Sequence, residues 1–147
     1  MAKEIWISVI DGQGGGIGRS IVGKLRKQIP KDSGVVICAL GTNSTATNNM
    51  IKSGADIGAT GQNAIVRTTK QSDIILGPMA IVAANSMLGE LTPAMAFAVS
   101  SCDAQKILIP MNRCGITIAA DLEGTVDTYI DYGINLVMEY LNQNLDQ

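Results

Sequence analysis

Apolar residues recur along this chain in two rhythms. Four short runs, IWISVI at 5–10, GVVICAL at 34–40, DIILG at 73–77 and KILIP at 106–110, have the length and β-branched content of strands covered on both faces. Between them the spacing becomes helical. Ile17, Ile21, Val22, Leu25 and Ile29 fall on one face, and Pro30 stops the pattern. STATNNMIKSGAD at 44–56 reads as a second helix, with Ser44 or Thr45 as its N-cap and Gly54 at its C′ position. Thr92-Pro93 pairs an N-cap with proline at the first helical position, which predicts a helix to about Ser101. Val126, Ile130, Gly133, Ile134, Val137 and Leu141 mark a C-terminal amphipathic helix. A weaker strand is expected at 63–67 and a last one in GITIA at 115–119. Strands alternating with helices at this spacing predict a single α/β domain over residues 1–147. It should be a three-layer, Rossmann-like arrangement on a mostly parallel sheet of five or six strands.

Composition narrows the class. The chain is 46% hydrophobic and 16% charged, with a net charge of −2, which gives no reason to expect nucleic acid as partner. The charge is unevenly placed. Residues 1–70 carry nine Lys/Arg against four Asp/Glu, and residues 71–147 carry two against nine. Lys24, Arg26, Lys27 and Lys31 read as a solvated helix end that suits the dipole. The cysteines Cys38, Cys102 and Cys114 form no CxxC and are odd in number. Together with an N-terminus that lacks a signal-peptide pattern, they predict a cytoplasmic, reducing setting. The low-charge stretch 74–99 is interrupted by Pro78, Asn85, Glu90 and Pro93, so it is a poor membrane span. Met79, Met87, Met95 and Phe97 within it suggest an apolar surface and a homo-oligomer.

The densest signal is VIDGQGGGIGRS at 9–20, in which five of twelve residues are glycine. A strand, a glycine loop and a helix in that order offer backbone N–H groups and a partial positive charge to an anion. Gly12, Gln13, Gly14, Gly15, Gly16, Ile17 and Gly18 are therefore candidate ligand contacts. Asp11 is a carboxylate where a phosphate would be repelled. It is expected to cap the loop's own N–H groups or to hold a metal ion. Arg19 could offset it.

Ligands of such sheets sit beyond the carboxyl ends of the strands. That collects Thr42 and Asn43 after the second strand, as contacts for a sugar or base. It also collects Asn112 and Arg113 after the KILIP strand, with Arg113 as the partner of an anionic group. Cys114 is a candidate thiol. SGADIGATGQNAIV at 53–66 reads as a lid, a sugar-recognition loop or an irregular connection. The chain has no histidine, which removes the usual general base and the commonest zinc ligand. The cofactor stays open between NAD(P) and another nucleotide. Three functions compete: binding of a nucleotide or phosphorylated metabolite, an NAD(P)-dependent oxidoreductase, and a non-catalytic oligomeric scaffold.

Two resemblances add to this reading. The spacing at Gly12, Gly16, Ile17 and Gly18 resembles the G-x-x-x-G-I-G loop of short-chain dehydrogenases and reductases, with Asp11 in the position of their threonine. Their Tyr-x-x-x-Lys pair is missing, since Tyr129, Tyr132 and Tyr140 are followed four residues on by Gly133, Leu136 and Asn144. VIDGQGGGIG, ALGTN, GADIGATGQNAIV, GPMAIVAANSMLGELTPAMA and KILIPMNRCG, in that order over about residues 5–119, resemble a family of small bacterial proteins known only as a domain of unknown function. That resemblance implies a Rossmann-like fold and brings no activity, substrate or catalytic residues.

Overall fold

A computed structural model describes residues 3–145. Five strands, β1 (Ile5–Asp11), β2 (Val35–Gly41), β3 (Ile57–Thr60), β4 (Ile74–Pro78) and β5 (Gln105–Ile109), form one sheet in the order β3-β2-β1-β4-β5, with every pairing parallel. The helices are α1 (Gly16–Gln28), α2 (Ser44–Lys52), α3 (Gln62–Thr69), α4 (Pro93–Ser101) and α5 (Val126–Asn144), with a 3-10 turn at Met79–Val82.

The sheet is covered on both sides because successive strand residues point to opposite faces and both faces are apolar. Ile5, Ile7 and Val9 of β1 join Ile37, Leu76 and Ile109 under Ile21, Val22 and Leu25 of α1, Met50 of α2, and Ile130, Ile134 and Val137 of α5. On the other face Ile10, Leu40 and Ile75 pack with Ile65 of α3, Ile81, Leu91, and Met95 and Val99 of α4. Strand order reverses between β1 and β4, so the loops leaving these two strands diverge to opposite sides and open a crevice there.

Charge asymmetry also finds partners. Lys24 on α1 bonds Asp131 on α5 at 2.6 Å across the two halves, whereas Arg26 pairs within the basic half, with Asp56 at 2.7 Å, while its Nε donates to Gly54 O. Gly54, just past α2, has a positive φ of 125°, which glycine tolerates better than other residues.

Three expectations are corrected. Residues 63–67 lie in helix α3, and the strand precedes it as β3. Gly61 at φ 102° turns the chain between them, and Ile65, Thr68 and Thr69 bury one helical face. β3 is an edge strand exposed at all four residues, so it carries no apolar pattern to read. Residues 115–119 form no strand. Cys114 and Gly115 both have positive φ, and Asn112 Oδ1 accepts from Ile118 N–H across the turn, which bends the segment away from β5. The N-cap of α2 is Asn43, whose Oδ1 accepts from Ala46 N–H at 2.9 Å, rather than Ser44 or Thr45.

Candidate functional site

The crevice at the carboxyl ends of β1 and β4 is a cleft of about 640 Å³, lined by Asp11, residues 12–17, Pro78, Ala80, Met87, Leu88, Met111, Arg113, Cys114 and Val126. Its floor is the glycine loop, organised around Asp11. That side chain is 5% exposed. Its Oδ1 accepts from Gly12 N–H at 2.8 Å and its Oδ2 from Gly18 N–H at 2.7 Å. Gly15, the N-cap of α1, has no side chain to offer, and Asp11 does the capping from the strand. Burial pushes its carboxyl above the ordinary value. The N–H groups of Gly18 and Gly12 pull the other way, and the nearby charge of Glu90 adds to the rise. Both oxygens are committed to the loop, and among the described residues no group of three His, Cys, Asp or Glu could hold a metal ion.

The second organiser is Glu90, which the sequence reading passed over as an interruption of an apolar stretch. Its Oε1 accepts from Gln13 N–H at 2.9 Å, Thr42 Oγ1–H at 2.7 Å and Asn43 Nδ2–H at 2.8 Å. These donors, Gln13 first, hold its carboxyl below the usual value. Glu90 thus ties the β4–α4 segment to the glycine loop and to the β2–α2 turn. A signal was available: Glu90 is the only charged residue between Asp73 and Asp103. A lone charge in such a run needs a partner. The segment it anchors is bent through left-handed residues, with φ 67° at Asn85, 58° at Met87, 56° at Leu88 and 90° at Gly89.

The loop glycines divide by what a β-carbon would meet. At Gly12 it would collide with Met87 Sδ and lie 2.6 Å from Thr42 Oγ1. At Gly15, with φ 70°, it would lie 2.8 Å from the Ala46 Cα of α2, and at Gly18 it would lie 2.9 Å from Asp11 Cβ. At Gly14 and Gly16 it would meet nothing within 4 Å, and neither residue has a positive φ. Their N–H groups take no partner among the described residues, whereas Gly14 O accepts from Asn49 Nδ2–H.

The sequence candidates are therefore only partly gathered. Residues 12–17 and Arg113 line the cleft together, with Cys114 beside them on the exposed post-β5 loop. Gly18 is buried beneath it. Thr42 and Asn43 lie behind the loop, bonded to Glu90, with Asn43 also donating to Gln13 O. Asn112 holds its own turn through Ile118 N–H. Arg19 is exposed and forms no ion pair among the described residues.

A family profile described as "Domain of unknown function (DUF3842)" matches residues 6–142. No curated protein matches the chain. Among solved structures, one similar chain is a dodecameric FMN-dependent Ubix-like decarboxylase from Escherichia coli O157:H7. It has 14% identity, a TM-score of 0.45 and 93% of each chain covered.

Proposed function

The chain belongs to this family of unknown function (DUF3842), and we propose that it binds a nucleotide or phosphorylated small metabolite in the cleft above the glycine loop. The observation that carries this reading is the pair Gly14 and Gly16. Neither packing nor backbone conformation requires glycine there, both line the cleft, and both present N–H groups that take no partner among the described residues. Close approach of a ligand to the backbone is the remaining reason for a missing side chain. Arg113 adds a guanidinium to the same cleft and suits an anion bidentately. Asp11 serves as the loop's internal cap, so the ligand's charge is met by the outer N–H groups and by Arg113.

The test is a thermal-shift screen of mononucleotides, dinucleotides including NAD(P), and sugar phosphates. A ligand at about 100 times its Kd stabilises by about 2.7 kcal/mol. Arg113→Ala should then weaken binding about tenfold, about 1.4 kcal/mol, without lowering the melting temperature of the free protein. Unchanged affinity would place Arg113 outside the site, and no shift with any compound would remove the reading.

A homo-oligomer is favoured by a separate observation. Helix α4 carries no charge, yet its Phe97 is 71% exposed beside an apolar groove of about 430 Å³ that includes Val66, Ala94, Ala98 and Cys102. Large exposed aromatics of this kind mark contact surfaces. Gel filtration should give a multiple of 15.4 kDa, and Phe97→Glu should reduce it. A monomer mass for the unaltered chain would overturn this reading.

A further inference from the structure

Resting on that reading, we infer that the ligand is a compact anion with one apolar body, seated between the β4–α4 segment and the post-β5 loop, and that no second arm extends over β2. The two sides of the glycine loop differ in what they leave available. In a dinucleotide-binding sheet, the half of the ligand beyond the phosphates lies over the end of the second strand and is held by polar groups there. Here those groups are consumed. Thr42 Oγ1 donates to Glu90, Asn43 Nδ2 donates to Glu90 and to Gln13 O, and Asn43 Oδ1 accepts from Ala46 N–H. The loop also rests directly on α2, since a β-carbon at Gly15 would lie 2.8 Å from Ala46 Cα. The polar groups available to hold a ribose there are already bonded within the protein.

The other side is open and apolar. Leu88 is 100% exposed although it is a large aliphatic residue, and its φ of 56° is one that such residues rarely adopt. Its φ belongs to the tight turn closed by Glu90 N–H on Met87 O, but no packing explains its exposure, because the side chain has nothing around it. Yet Leu88 lines the cleft together with Met87, Met111 and the exposed Val126. Arg113 stands in the same cleft, so a cation and an apolar wall converge on one ligand.

The experiment is calorimetric titration of the full chain with inorganic phosphate, phenyl phosphate and NAD⁺. Phenyl phosphate should bind at least about tenfold more tightly than inorganic phosphate, as expected when a ring leaves water for an apolar wall. It should also bind more tightly than NAD⁺. Leu88→Asn keeps a residue that tolerates the left-handed turn. It should erase most of the preference for phenyl phosphate and leave the affinity for inorganic phosphate unchanged. Equal affinities for the two phosphates, or an Asn variant that keeps the preference, would overturn this inference and leave the binding site standing. Tighter binding of NAD⁺ than of phenyl phosphate would overturn it as well. Binding of none of the three would overturn it together with the reading beneath it.

Discussion

Within seven residues the glycine loop holds two populations of the same amino acid. Gly12, Gly15 and Gly18 are surrounded by Met87, Ala46, Met50 and Asp11, and their lack of a side chain lets the β1 loop, α2 and the β4–α4 segment close on one another. Gly14 and Gly16 face open space. A glycine-rich motif read as a whole suggests one purpose, whereas atom by atom it divides into packing and approach. The same division holds for the two carboxylates. Asp11 spends both oxygens on the loop's own N–H groups, and Glu90 spends Oε1 on one loop N–H and on Thr42 and Asn43 of the β2–α2 turn, so both acids serve as internal ties.

This contrast is open to direct attack. The largest effect is expected at Gly15→Ala. A β-carbon there meets the backbone of α2 at 2.8 Å and sits at φ 70°, so overpacking and left-handed strain together should cost about 3 kcal/mol, or roughly 6–12 °C in melting temperature. Thermal unfolding checks it, and a loss no greater than that of an exposed surface substitution would mean that the loop does not rest on α2. Glu90→Ala comes next, with an expected cost of about 2 kcal/mol for three bonds to a partly exposed carboxylate.

The pH dependence sharpens the comparison between the two acids. Glu90 is held below its ordinary value of 4.5. The stability it contributes is complete above that pH and is lost as pH falls through its lower folded value. Asp11, raised from 3.8 by burial, acts in the opposite direction, since protonation relieves a buried charge. Glu90→Gln should therefore flatten the decline in melting temperature below pH 4.5, and an unchanged profile would remove Glu90 from the acid response.

The smallest effect on stability is the most telling. Gly16→Ala should be neutral or stabilising by about 0.5–1 kcal/mol, because it restricts the unfolded chain and meets no neighbour. It should nevertheless weaken any phosphate-bearing ligand about tenfold, read by titration. A stabilised protein with full affinity would mean that Gly16 serves neither purpose.

Much of the fold was legible in the sequence because it rests on local periodicity. The three interior strands β2, β1 and β4 are largely apolar runs, the edge strand β5 keeps a short ILI core, and α1, α4 and α5 bury residues at helical spacing. β3 escaped because an edge strand with four exposed residues has no pattern. GITIA misled because its alternation supplies half-buried turns at Ile116 and Ile118, which the left-handed pair Cys114-Gly115 turns away from the sheet. Of the residues that line the cleft, the glycines and Arg113 could be singled out in advance because backbone freedom and charge are properties of single residues. Glu90 could not be given its part, because that part is a relation between segments 77 residues apart in the chain.

What the sequence determined by itself, then, was the alternation of strands and helices, their packing in three layers and the location of a glycine loop where one strand meets a helix. These follow from hydrophobic period and turn chemistry, which act over a few residues. Only the tertiary structure decided which N–H groups remain free. Whether Asp11, Thr42 and Asn43 face a ligand or bond the protein's own groups depends on how β1, β2 and the β4–α4 segment come together. That arrangement is set by strand order and by the hydrogen bonds that each buried polar group must satisfy.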